Sequence, residues 1–257
     1  MKLRIKYSKL GNLRFIGHLD VMRYFQKTIR RAGLHVSYSK GYSPHQIISF
    51  AAPLAMCITS DGEYFDGEFE EISTSGEMID ALNQYGVEEL KVSECVLLPD
   101  EAKNSMSVVA ASDYMITFKA LTEEESSGRM LEKENVTNIG NIETDDTASE
   151  NAKHILECVA DFHSQSEIVI LKKTKKSEKE ENIKPGILKI AVKDNGIYML
   201  LSTGSTYNLK PELVMEALCQ YAGISYNFFD FHIHRIETYM EDENGDLMPL
   251  YKAGRNF

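Results

Sequence analysis

The sequence predicts an α+β protein of two tandem ferredoxin-like units, each running strand–helix–strand–strand–helix–strand (βαββαβ) with an antiparallel sheet. Three observations predict it. Segments of period 2 and period 3.6 alternate in that order twice along the chain. Turn residues separate them, with Asp194-Asn195-Gly196 the strongest hairpin signal. The length, 257 residues, exceeds one small domain and suits two.

The first unit is expected over 1–107. Residues 2–8 alternate Leu3, Ile5 and Tyr7 with Lys2, Arg4 and Lys6, as in a strand with one buried face. Residues 18–32 form a helix with Val21, Met22, Phe25, Ile29 and Ala32 inward and Arg23, Lys27, Arg30 and Arg31 outward. Gly33 closes that helix. Ile47–Leu54 and Glu63–Glu71 are strand-like, joined by a turn at Ser60-Asp61-Gly62. A helix over about 75–86 and a strand over Lys91–Leu98 complete the unit.

The second unit, 108–257, repeats the order. Tyr114–Lys119 is a strand and Ala152–His163 a helix. Leu188–Val192 and Ile197–Leu201 form a hairpin, Pro211–Tyr221 a helix opened by proline, and Phe229–Tyr239 a strand. Residues 121–150, with nine acids and two bases, are expected to be a solvated, mobile insertion. The five lysines of Lys172–Lys179 suit a solvated hairpin tip.

Charge is distributed unevenly. The first fifty residues carry ten Lys/Arg against Asp20 alone, +9 within a total of −11, which leaves −20 for the remainder. A net negative chain does not coat nucleic acid wholesale, but a local basic face is compatible with it. No apolar run is long enough for a membrane helix, and the start lacks the apolar core of a signal peptide. Four dispersed cysteines without metal-ligand spacing are expected to be buried thiols, and the protein cytoplasmic. Phosphate-loop, zinc-protease, nucleophile-elbow and dinucleotide motifs are absent, as is an iron–sulfur cysteine triplet. No cofactor is implied, and no metal: His232 and His234 share a strand face without a third ligand nearby.

Candidate residues concentrate in the basic head. Arg23, Lys27, Arg30 and Arg31 form an almost acid-free helix face suited to phosphates, with Tyr24, Tyr38 and Tyr42 interleaved for stacking. The loop that follows, with Ser37, Lys40, Gly41, Tyr42, Ser43 and His45, combines special backbone positions with a histidine. His18, Asp20 and His45 are the candidates for proton transfer if there is catalysis.

The run FIGHLDVMRYFQKTIRRAGLHVSYSKGYSPHQIISFAAPLAM, continued by ITSDGEYFD, resembles the signature of the radical-SAM-linked family. The resemblance rests on Phe15, His18-Leu19-Asp20, Arg23, Arg30-Arg31, Ser37, Gly41-Tyr42, Pro44-His45, Ala52-Pro53-Leu54, Ser60 and Glu63-Tyr64-x-Asp66, and covers about 15–66. Cys57 stands where the pattern would have glycine, which implies a less tight backbone there. The resemblance implies association with radical SAM chemistry and RNA metabolism, with no assigned reaction.

The reading is a non-catalytic RNA-binding accessory protein that presents tRNA or rRNA to a separate radical SAM enzyme. One alternative is a metal-independent endoribonuclease using His45 or His18; another is a module in which the Ser-Pro-His loop binds a small anion. No membrane partner is expected, and the sequence leaves the oligomeric state open.

Overall fold

A computed structural model of the chain describes residues 1–122, 145–173, 178–204 and 207–257. Most of the insertion expected at 121–150, and the tip of the lysine run at 174–177, lie outside the described residues. The protein is a mixed α+β fold with a nine-stranded, mostly antiparallel sheet and a separate two-stranded hairpin. It divides into two compact units: Met1–Asp113 with Ser202–Asn208 and His234–Phe257, and Tyr114–Leu201 with Leu209–Ile233.

In the first unit β1 (Lys2–Lys9) leads through a 3-10 turn to α1 (His18–Arg31). Then come β2 (Ile48–Phe50), β3 (Thr59–Glu68), α2 (Ser75–Gln84) and β4 (Val92–Leu97). Strand β1 pairs antiparallel with both β4 and β3, and β2 pairs antiparallel with β3. Leu3, Ile5 and Tyr7 of β1 pack with Val21, Phe25 and Ile29 of α1 and with Phe50, Phe65 and Phe69, as the two hydrophobic periods require. Thr74 and Glu77 cap α2 reciprocally.

Two expectations are corrected. The strand predicted over Ile47–Leu54 shrinks to β2, because Pro53 and Cys57 (φ +69) break the ladder. The turn predicted at Ser60-Asp61-Gly62 lies inside β3. Gly62 is needed there for close approach: a Cβ would lie 2.4 Å from the Glu237 Cα on β10 (Phe231–Glu241). Strand β10 runs parallel to β3, with Arg235 opposite Ser60, and its far end turns back as β11 (Leu247–Pro249). Between β4 and β5 (Val109–Phe118) lies one short helix, α3 (Ser105–Val108).

In the second unit α4 (Asp145–Ser164) starts earlier than the expected Ala152. Strands β6 (Val169–Lys173) and β7 (Glu178–Asn182) form the separate hairpin. Strands β8 (Ile187–Lys193) and β9 (Gly196–Ser202) turn at Asp194 and Asn195, both at positive φ. α5 (Pro211–Tyr221) follows, and Phe162 of α4 meets Tyr221 edge-on at 5.8 Å. No helix among the described residues is long and apolar enough to cross a membrane.

Candidate nucleic-acid interface

Helix α1 is amphipathic by sequence and is held on one side only. Val21, Phe25, Thr28 and Ile29 are buried, whereas Arg23, Lys27, Arg30 and Arg31 are exposed. Gly33, at φ +69, ends it. Arg23 pairs with Asp20 at 3.2 Å, both well exposed, so this pair contributes little stability. Lys27, Arg30 and Arg31 have no ion-pair partner among the described residues. Arg30 and Arg31 occupy the last turn, where the helix dipole favours positive charge.

The loop after α1 is a closed tip. Tyr38 bridges Gln46, and Ser39 N–H donates to the His45 carbonyl at 2.8 Å. The Ser39 hydroxyl meets His45 Nδ1 at 2.8 Å and accepts from the His45 N–H at 3.1 Å. Ser37 anchors the base through its N–H to the Glu68 carbonyl. Gln46, which donates to the Gln26 carbonyl at 3.3 Å, fixes the loop against the middle of α1. Lys40, Gly41 (φ +132), Tyr42, Ser43 and His45 are exposed, and Tyr42 is fully so, at 110%.

Not every candidate belongs to this surface. Tyr24 is structural: its hydroxyl accepts from Val87 N–H at 2.8 Å and its ring packs on Phe25. His18 sits at the opposite end of α1 from Arg30 and Arg31, about 18 Å away at the helical rise. Its half-buried ring meets Phe50 edge-on at 5.2 Å, and its nitrogens have no hydrogen-bond partner among the described residues. Burial holds this imidazole below its ordinary 6.5, with Glu63 opposing and Lys9 reinforcing the shift. His234 is tied to Thr59 and Asp61, and no cluster that would hold a metal occurs among the described residues.

Of the cations of β1, Arg4 and Lys9 are buried and Lys2 and Lys6 half-buried. Arg4, 1% exposed, forms a two-pronged pair with Asp66 at 2.8 and 3.0 Å and also donates to the Leu250 and Lys103 carbonyls. Lys6 meets Glu237 at 2.6 Å, and the Tyr64 hydroxyl donates to the same carboxylate at 2.7 Å. Lys9 is buried and donates to the Ile16 carbonyl, and burial pushes its ammonium downward. Arg235 pairs with Glu63 at 2.9 Å. The expectation that β1 buries one face only is therefore corrected: paired charges cover the second.

A cavity of about 340 Å³ opens beside the tip, and its polar lining includes Lys2, Ser39, His45, Gln46, Ser49, Asp66, Glu68 and Asn104. Of these, sequence reasoning named only His45 as a site residue; Ser49, Glu68 and Asn104 come from separate strands and loops and carry no motif.

Comparison with known families places residues 2–211 within a model described as an uncharacterized protein conserved in bacteria, DUF2344. No curated protein matches the chain.

Proposed function

The chain belongs to the DUF2344 family, and we propose that it is an RNA-binding accessory protein that presents tRNA or rRNA to a separate radical SAM modification enzyme. The observation that carries the RNA reading is the juxtaposition on α1. Three exposed cations without ion-pair partners among the described residues lie along a helix whose midpoint holds a loop with a fully exposed tyrosine. Lys27, Arg30 and Arg31 would take phosphates, Lys40 and the loop N–H groups would extend that contact, and Tyr42 would stack on a base. The partner enzyme is inferred from the signature over 15–66. His45, clasped by Ser39, serves in this reading to shape the loop. The same reading treats both units as ferredoxin-like, supported in the first by the antiparallel strand order β4-β1-β3-β2. It places the protein in the cytoplasm, with four free cysteines as support.

The test is the affinity for structured RNA of the parent and of the Arg30→Glu, Arg31→Glu double variant across salt concentrations. The variant should bind more weakly whatever the base sequence, and its log–log salt slope should flatten by about 1–2. Equal binding at low and moderate salt would reduce the basic face to a solvated surface.

A further inference from the structure

We propose that the cavity beside the tip loop takes the base of a single unpaired guanine in the RNA, an inference that rests on the RNA reading above. Its volume, about 340 Å³, is at the small end for ligand pockets and suits one nucleoside rather than a duplex. Ile47 and Ile48 supply apolar wall, which suits the faces of a flat ring. Gly67 lines the cavity as well, and a Cβ there would meet the Phe69 ring at 2.8 Å, so no side chain rises from that position.

The polar groups choose the base. Lys2 and Asp66 also line the cavity, but the Lys2 ammonium donates to the Ala102 carbonyl at 3.0 Å and the Asp66 carboxylate accepts from Arg4 and the Ser105 N–H. The exposed Glu68 carboxylate has no hydrogen-bond or ion-pair partner among the described residues. A carboxylate without a partner favours a donor-rich edge. Guanine offers two adjacent donors, N1–H and the N2 amino group, that match both oxygens of one carboxylate. Adenine and cytosine set a ring nitrogen acceptor beside their amino group, which a carboxylate repels, and uracil flanks its one N–H with carbonyls. The Asn104 amide and the Ser49 hydroxyl, on the cavity rim without side-chain partners among the described residues, remain for the guanine O6 and N7 or the ribose. Only unpaired RNA exposes the guanine edge in this way, because pairing occupies it.

The experiment measures binding of two single-stranded heptauridylates, one with a central guanine and one with a central adenine, by fluorescence anisotropy at low salt. The parent should prefer the guanine oligomer by about tenfold, the discrimination of one good bidentate contact. Glu68→Gln should abolish the preference. No guanine preference in the parent, or one that survives Glu68→Gln, overturns the proposal. If the parent binds neither oligomer, the RNA reading fails, and free guanosine, which carries no phosphate, then decides the cavity separately. Saturable guanosine binding lost in Glu68→Gln would keep a guanine site independent of RNA; no guanosine binding would remove it.

Discussion

Two sets of cations in the first unit, equally conspicuous in sequence, have opposite fates. Those on β1 are buried or half-buried: Arg4 lies against Asp66, 62 residues away, and Lys6 against Glu237, 231 residues away. Those on α1 are exposed, and among the described residues only Arg23, with Asp20, is ion-paired. The excess of +9 in the first fifty residues therefore overstates the basic surface, because distant acids neutralise part of it. A helix has one buried stripe, so its outer charges stay outside. A strand in a covered sheet has two buried faces, and its charges are buried unless something removes them.

The sharpest break of this contrast lies on β1. Arg4→Ala should cost about 3–5 kcal/mol in urea unfolding, because it leaves the Asp66 carboxylate buried without its guanidinium. Replacing both partners with apolar residues should cost much less. RNA affinity of the folded variants should be unchanged; a large loss would mean that the internal cations also feed the binding surface. On α1 the outcome should be reversed: the Arg30→Glu, Arg31→Glu variant that weakens RNA binding should cost only about 1–2 kcal/mol of stability, from acids placed at a helix C-terminus.

A smaller effect is expected at the tip. His45→Ala should weaken RNA binding by roughly two- to tenfold, as for one or two lost hydrogen bonds, and there should be no cleavage to lose. A gel assay with EDTA on end-labelled RNA checks this. Cleavage by the parent, abolished by His18→Ala or His45→Ala with binding intact, would promote the endoribonuclease instead.

The smallest effect concerns His18. Its imidazole is held below 6.5 in the folded state, so the unfolded chain binds its proton first as pH falls. This contribution to stability is present above about 6.5 and declines as pH drops toward the lower folded value. His18→Gln should flatten the pH dependence of the unfolding midpoint in that window. An unchanged profile would place the acid sensitivity elsewhere.

Much of the fold was legible because its periods are clean. The stripe of α1, the limits of α5 and the positive-φ hairpin between β8 and β9 all follow from local chemistry. What escaped was non-local. The glycine in Ser60-Asp61-Gly62 carried a turn signal, yet its purpose is to let β10 approach, and nothing near residue 62 announces residue 237. The two faces of β1 look alike in period to a half-exposed strand, and only its partners Tyr64 and Asp66 reveal otherwise. At Cys57, where the resemblance called for glycine, the backbone keeps the left-handed conformation at φ +69 despite the side chain. Of the candidate site, the helix face and tip were visible as a contiguous run, whereas Glu68 and Asn104 of the cavity arrive by topology.

The pairing of β10 with β3 also orders events in time. During synthesis the ribosome releases β1 and β3 long before residues 234–241 exist, so Lys6 and Glu63 must wait for Glu237 and Arg235. Until then the nascent first unit holds half-made ion pairs and an open edge on β3, a state suited to chaperone attention. Completion of the first unit is thereby deferred until β10 has been made, and a chain cut short before β10 would leave that unit unfinished.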